Sequence, residues 1–338
     1  MATTDPSGPS PIKLFFTGGG GAGTIEALRA LRATGRYTLI TADATRSSAG
    51  FSFADRAYVV PFGADPAFVD ALREIVRREQ PDYLIPLVDE EIPKVHAFVR
   101  DEAPNLRVIT PSRTFCDLAL DKWAMAKALA AHGLTGARSW LASEAGDAIY
   151  PAIVKPRTGR GSRGLAYLAT RADLVSYLAS TTQAADHYIV QERLTGPEFT
   201  TSVVCGLDNT LLAIVPKEAV EKRGITQVGV TRVVPEIDAL CAGIVRELAP
   251  CGPFNVQLIF GADRVPRVIE INPRYSTTMA LTLAAGVNEV DAVLRHLRGE
   301  PPGPLSFEPD LMMLRYTTQV YVKEASWQPI DLRGSTDR

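Results

Sequence analysis

Three side chains in this sequence could together hold a divalent cation. Glu270 and Asn272 lie two apart in the apolar run Val268-Ile269-Glu270-Ile271-Asn272, so on a strand they point the same way. Gln257 lies in the preceding apolar run, 255–260, close enough in sequence to face them across a hairpin turned at Gly261-Ala262-Asp263. One carboxylate with two amide oxygens is a hard donor set suited to Mg²⁺, completed by phosphate oxygens and water. A carboxylate in so apolar a run is costly to bury without a cation or partner.

Two further segments could handle a nucleotide. Lys155 ends the apolar run Pro151-Ala152-Ile153-Val154, and Arg157-Thr158-Gly159-Arg160-Gly161-Ser162-Arg163-Gly164 follows. Flexible loops rich in glycine and backbone N–H fold over phosphates, and cations match their charge; a solvated turn is the plain alternative. Ile189-Val190 then leads into Gln191, Glu192, Arg193 and Leu194, with Glu198 beyond. Backbone groups of such a linker can read an adenine edge and a carboxylate can hold ribose hydroxyls; a surface hairpin fits as well.

Other signals are weaker. Gly18, Gly20 and Gly23 satisfy GxGxxG between a strand and a helix, and Asp43 ends the next strand, as in a dinucleotide fingerprint. Glycine also simply permits the tight turn. Asp89-Glu90-Glu91 follows a strand, at the end of a parallel sheet where ligands bind, so Glu90 is a candidate for a substrate ammonium; favourable charge at a helix N-terminus is the alternative. Lys217, Lys222, Arg223 and Arg232 fall in a segment read as a loop, either facing a substrate carboxylate or simply exposed.

The elements that must position these residues divide in character. Up to about residue 109, short continuous apolar strands alternate with amphipathic helices (24–34 with Gly35 as C-cap, and 66–78), which predicts a parallel doubly wound α/β sheet. Ser112 or Thr114 caps the next helix, expected over 115–132. From residue 150 onward Val/Ile strands mix with helices, an α+β pattern. The residues from about 325 read as a loose tail.

Composition narrows the function classes. With 36 Lys plus Arg against 38 Asp plus Glu among 338 residues, the formal charge is −2, leaving no global basic field for nucleic acid. No apolar run reaches the length of a membrane span, and residues 1–11 do not read as a secretory signal. Cys116, Cys205, Cys241 and Cys251 lack CxxC spacing and read as buried thiols of a cytoplasmic protein. His96, His132, His187 and His296 lack metal-ligand spacing.

Together the motifs resemble the ATP-grasp superfamily. The resemblance is to the synthetase units of the carbamoyl phosphate synthetase large subunit and to amino-acid ligases built like the pyrrolysine-biosynthesis ligase. It runs from about residue 13 to residue 299. Its most specific part is Phe254-Asn255-Val256-Gln257 with Val268-Ile269-Glu270-Ile271-Asn272-Pro273-Arg274. It implies a Rossmann-like pre-grasp domain over 1–113, a central helical and ATP-lid subdomain over 114–187, a C-terminal grasp subdomain over 188–325, and a tail over 326–338.

The same resemblance implies roles. Gln257, Glu270 and Asn272 would hold Mg²⁺, or Mn²⁺ in its place, on the ATP phosphates. Lys122 and Lys155 would contact ATP, with Gly161 and Ser162 in the loop that closes over it. Gln191, Glu192, Arg193 and Leu194 would take the adenine and Glu198 the ribose. Arg274 would stabilise the transferring phosphoryl group or acyl-phosphate, and Arg274, Glu90 and Arg232 are the substrate candidates. The implied activity is ATP-dependent joining of a carboxylate to an amine through an acyl-phosphate, on small molecules such as amino acids, with neither nucleic acid nor membrane as partner and with room for a homodimer. With room for one synthetase unit and no evident glutamine-hydrolysing domain, a stand-alone ligase is preferred. A carboxyphosphate- or phosphoryl-transferring variant, an NAD-dependent oxidoreductase and a silent nucleotide-binding partner are the other readings.

Overall fold

The computed structural model describes residues 11–333 apart from Arg160, Ser162 and Ala262, so the expectation for Ser162 lies outside the described residues. The chain forms two compact units. One comprises the residues up to Leu87, Lys94–Val108 and those from Gln319 on; the other comprises Val88–Pro93 and Ile109–Thr318.

The first unit holds β1 (Ile12–Phe16), α1 (Ala22–Thr34), β2 (Tyr37–Asp43), β3 (Arg56–Val59), α2 (Phe68–Glu79), β4 (Tyr83–Ile85), most of α3 (Ile92–Glu102) and β5 (Arg107–Val108). The strands form one parallel sheet in the order β3-β2-β1-β4-β5, as the continuous apolar runs predict. Amphipathic α2 buries Phe68, Leu72 and Ile75, which join Phe15, Ile40, Tyr58 and Leu84 in one core. Gly35 ends α1 with φ 65°, its N–H donating to the Arg32 carbonyl.

Asp43 has a local task. Its carboxylate accepts from the N–H of Gly20 at 2.7 Å and of Thr45 at 2.8 Å, tying the glycine loop to the end of β2. Its oxygens thus serve the fold, which corrects the expectation that they wait for a ribose. The end of the chain also differs from a loose tail. Ile330–Asp331 forms a last strand beside Tyr58 and Val59 at the edge of this sheet, and Trp327 packs against Phe51 and donates to the Arg46 carbonyl. An unpaired sheet edge and an exposed indole make that docking favourable.

The second unit opens with α4 (Arg113–Ala119) and α5 (Lys122–Ala131), where one helix was expected. Ser112 caps α4 as predicted. The helix breaks because Asp121 caps α5, accepting from the N–H groups of Trp123 and Ala124, both at 3.1 Å. Next come β6 (Ser139–Leu141), β7 (Ala152–Pro156), β8 (Ala166–Leu168), α6 (Arg171–Ala179) and β9 (Tyr188–Glu192). These strands make a four-stranded antiparallel sheet ordered β6-β9-β7-β8, so β9 pairs with strands on the other side of the boundary expected at 187/188.

A second antiparallel sheet follows. It contains β10 (Glu198–Cys205), β11 (Leu211–Arg223), β12 (Ile225–Thr231), β13 (Phe254–Phe260), β14 (Pro266–Asn272) and β15 (Met312–Leu314), ordered β14-β13-β10-β11-β12-β15; Ile330–Asp331 becomes β16. The helices α7 (Pro235–Leu248), α8 (Met279–Ala284) and α9 (Glu289–Leu297) complete the unit. Alternation along the strands sends Phe199, Val203, Phe254, Val256 and Leu258 into a core with Ile237 and Ile244 of α7 and Met125 and Leu129 of α5. Glu198, Thr200, Ser202, Asn255 and Gln257 therefore share the opposite face.

The segment read as a charged loop over 217–232 is instead the β11–β12 hairpin, with Lys217 paired to Thr231 in register. Lys217 is only 1 % exposed; its Nζ donates to Ser202 Oγ and to Thr282 Oγ1 and lies 3.9 Å from Glu289. Burial lowers its pKa to about 8.

Candidate functional site

The two sheets of the second unit enclose a cavity of 350 Å³. The four-stranded sheet and its loops supply Ile153, Lys155, Tyr167, Gln191, Gly159 and Gly161, and the linker supplies Glu192, Arg193 and Leu194. The six-stranded sheet supplies Glu198, Lys222, Gln257, Ile259, Ile269 and Glu270, and Lys122 enters from the start of α5. Ten predicted residues thus meet around one space.

The metal candidates sit on one hairpin. Gln257 stands across from Glu270 and Asn255 from Asn272. Just beyond the Gln257–Glu270 pair the register slips: Leu258 pairs with Val268, which makes Ile269 an extra residue on β14. The bulge lets Ile269 and Glu270, adjacent in sequence, both line the cavity. It also frees the Ile269 carbonyl, which accepts from Lys155 Nζ at 3.1 Å.

Lys155 is 7 % exposed, and its Nζ also donates to the Gln191 side-chain oxygen at 2.9 Å. Both acceptors are neutral. Burial therefore depresses its pKa to about 8; Glu270 and Glu198 act to raise it and Lys122 to lower it. Gln191 is fixed in turn by donating to Ser139 Oγ at 3.0 Å.

Lys122 bridges two parts of the site. Its Nζ donates to the Gly159 carbonyl at 2.7 Å and lies 3.4 Å from Glu270 Oε1. Gly159 has φ 106°, a conformation that favours glycine and presents its carbonyl to Lys122. The Asp121 carboxylate that caps α5 also receives the Arg157 guanidinium at 2.5–2.8 Å, fastening the glycine loop to the helix. Burial opposes the Asp121 charge, but Arg157 and the capping N–H groups more than offset it and hold its pKa below the usual carboxylate range.

The linker is partly committed. The Glu192 N–H donates to the Arg138 carbonyl at 2.9 Å, and the Arg193 N–H to the Pro151 carbonyl at 3.2 Å. Glu192 pairs with Arg138 through its side chain, and the Arg193 guanidinium lies 5.1 Å from the centre of the Tyr167 ring. Leu194 lies one residue past these bonds and lines the cavity. Gly196 (φ 146°) is obligatory at the turn into β10, because a Cβ there would lie 1.9 Å from the Phe260 carbonyl oxygen. Glu198 is paired with Lys222, which the sequence reading placed on a charged loop and which here lines the cavity from β11.

Two expectations change. Arg274 forms a bidentate pair with Asp89, Nε–Oδ1 2.6 Å and Nη2–Oδ2 3.0 Å, and also donates to the Tyr275 carbonyl. A buried guanidinium requires such partners, and Asp89 supplies them to the arginine expected to stabilise the transferring phosphoryl group or acyl-phosphate. Arg232 is bound by Glu218 at 2.9 Å and Asp310 at 2.6 Å, away from the cavity, because it follows directly on β12. Glu90 lines a second cavity of 350 Å³ with Asp89, Lys122, Glu270 and Asn272.

The donor set fits a magnesium ion carried in on phosphates. Among the described residues no group of three His, Cys, Asp or Glu could hold a metal unaided. Glu270 instead faces Gln257, and Asn272 Nδ2 donates to Asn255 at 3.3 Å while its Oδ1 accepts from Arg274 Nη2 at 3.5 Å and keeps a second lone pair. One carboxylate and amide oxygens need phosphate oxygens to complete a shell.

Residues 184–319 match the family described as "ATP-grasp in the biosynthetic pathway with Ter operon", and residues 16–108 match the PylC-like N-terminal domain. The chain carries an ATP-grasp domain preceded by a PylC-like N-terminal domain. It is 24% identical over 252 residues to the carbamoyl phosphate synthase large chain of Pseudothermotoga lettingae, covering 69% of this chain and 22% of that one. It thus spans about a fifth of that relative's length. Its fold is similar to carboxyaminoimidazole ribonucleotide synthase from Aspergillus clavatus complexed with ATP (TM-score 0.72, 18% identity, 89% of this chain and 80% of that one). It is likewise similar to L-amino acid ligase from Bacillus licheniformis (TM-score 0.67, 18% identity, 89% and 78%). Among the described residues no helix is long and apolar enough to cross a membrane.

Proposed function

We propose that the chain is an ATP-dependent carboxylate–amine ligase that forms an amide or peptide bond through an acyl-phosphate, releasing ADP and phosphate. The observation that carries this reading is one cavity bounded by a desolvated lysine on neutral acceptors (Lys155), a second lysine at 3.4 Å from a carboxylate (Lys122 and Glu270), and Gln257 opposite that carboxylate. A buried ammonium with neutral partners is completed by an anion, and triphosphate oxygens supply one.

In this reading the first unit is a Rossmann-like pre-grasp domain, the four-stranded sheet with β9 is the lid and the six-stranded sheet is the grasp subdomain. Lys155 and Lys122 hold the phosphates under the loop at Gly161. The linker at Gln191, Glu192, Arg193 and Leu194 takes the adenine, and Glu198 takes the ribose. Gln257, Glu270 and Asn272 would hold Mg²⁺, which neutralises charge on the transferring group. A carboxylate repels nucleophiles; phosphorylation turns it into an electrophile that an amine attacks as phosphate leaves. Positioning and charge neutralisation then supply most of the catalysis, and loop closure would exclude water from the acyl-phosphate. Four thiols without a disulfide among the described residues suit a cytoplasmic enzyme supplied with ATP.

The experiment is ADP release with Mg-ATP across pooled amino acids and small carboxylates, with mass analysis of active wells. Release that needs two pools, with a product mass equal to their sum less water, is expected. ADP formation with a phosphorylated product would favour the phosphoryl-transferring variant instead.

A further inference from the structure

Two of the four thiols stand together at one end of the six-stranded sheet. Cys205 ends β10, and Cys251 lies in the turn between α7 and β13. β10 and β13 pair antiparallel with Val203 opposite Phe254, so two residues further on Cys205 comes level with Gly252, one place from Cys251. Facing residues of such a pair hold their Cα atoms about 4.5–5.5 Å apart and a disulfide spans roughly 4.4–6.8 Å, so an offset of one residue stays within reach. Asn209 joins the two: its Oδ1 accepts the Cys251 N–H at 3.1 Å and lies 3.8 Å from Cys205 Sγ. Cys251 has φ 52°, so strand alternation does not set the direction of its side chain.

The thiols differ in access, Cys205 being fully buried and Cys251 half-buried. Burial lifts the Cys205 pKa to about 11; the Gly252 N–H opposes the rise, and the Cys251 thiol and Asp208 add to it. The other two thiols are placed elsewhere: Cys116 donates to the Pro111 carbonyl at 3.3 Å, and Cys241 packs into the core from α7.

We propose that Cys205 and Cys251 form a reversible oxidation site that takes a small hydroperoxide as co-reactant and closes to a disulfide. The half-buried Cys251 sulfur attacks hydrogen peroxide; the O–O bond breaks, leaving a sulfenic acid and water. The Cys205 sulfur then displaces the sulfenic oxygen: the S–S bond forms, the S–O bond breaks, and hydroxide departs with the Cys205 proton as water. Two thiols and one peroxide thus give one disulfide and two waters, and the thiols of a reducing compartment reverse the step by exchange. Cys205 joins the core on the face opposite Gln257, so the site stands independently of the ligase reading.

The test exposes the folded full chain to a small molar excess of hydrogen peroxide, alkylates it in denaturant, digests it without reductant and weighs the peptides. The Cys205 and Cys251 peptides should be joined, lighter than their sum by two hydrogen atoms, and dithiothreitol should return both thiols. Cys116 and Cys241 should be alkylated throughout. Cys251→Ser, a change at a half-buried position, should fold as the parent and leave Cys205 alkylatable after the same exposure. Cys251 carried to a sulfinic or sulfonic acid while Cys205 stays alkylatable overturns the proposal. So does Cys251 joined to a second chain. So does a chain in which both remain thiols under an exposure that oxidises free cysteine in the same buffer.

Discussion

Gln257 and Glu270 face each other across the β13–β14 hairpin, and one residue of slip beside them turns the Ile269 carbonyl onto the buried Lys155. One irregularity in the ladder thus joins the metal candidates to the phosphate candidate. The neighbouring lysine, Lys122, reaches the same carboxylate from a helix start.

Glu270→Gln removes the one carboxylate of the trio and keeps its shape. ATP turnover should fall by at least about a hundredfold, as expected when a preorganised charge at the reacting centre is lost. Circular dichroism and melting temperature should stay near those of the parent, and turnover retained in the folded variant would sink the metal assignment.

Lys155 sets a pH dependence. Its pKa in the free protein is depressed to about 8 by burial. Bound phosphate favours the protonated form, so the complex holds more protons than the free protein and rising pH opposes binding. Nucleotide affinity should therefore be flat below about pH 8 and decline above it. Lys155→Met should lower affinity about tenfold to a hundredfold near pH 7 and flatten that decline. Titrations between pH 6.5 and 9.5, at roughly constant ionic strength, read both effects.

Gln191→Glu places a carboxylate where Lys155 Nζ now meets a neutral oxygen at 2.9 Å. An adjacent opposite charge raises a lysine pKa. The bend in the affinity profile should move upward by at least about one unit, and an unmoved bend would show that another group causes it.

Asp121→Ala removes the α5 cap and releases Arg157. Loss of the cap alone should cost about 1–2 kcal/mol, measured by denaturant unfolding. Nucleotide affinity should fall as well, because Lys122 and the glycine loop lose their shared anchor. Unchanged affinity in a destabilised variant would mean that the anchor serves the fold alone.

The parts of the site legible in the sequence are those made by short-range pairing. Gln257, Glu270 and Asn272 lie on one hairpin, so strand period and turn chemistry are enough to bring them together, and Lys155 is marked by its place at the end of an apolar strand. What escaped was set by longer reach or local slip. Asp89 and Arg274 meet across 185 residues. The Ile269 bulge breaks strict alternation. The break before Lys122 depends on Asp121 finding both a helix end to cap and Arg157 to hold. Lys217 looked exposed because its charge suggested it, whereas Ser202, Thr282 and Glu289 make its burial tolerable. In the first unit the parallel sheet followed from apolar runs, but β16 returns to β3 from the far end of the chain, and nothing local in Ile330–Asp331 signals that.

The most direct test of the central claim labels the carboxylate oxygens of the acid substrate with oxygen-18 and analyses the released phosphate. An acyl-phosphate keeps one carboxylate oxygen as its bridge, and amine attack leaves that oxygen on phosphate. The account predicts one labelled oxygen per phosphate, formed together with ADP. Unlabelled phosphate, or AMP with pyrophosphate, would contradict it.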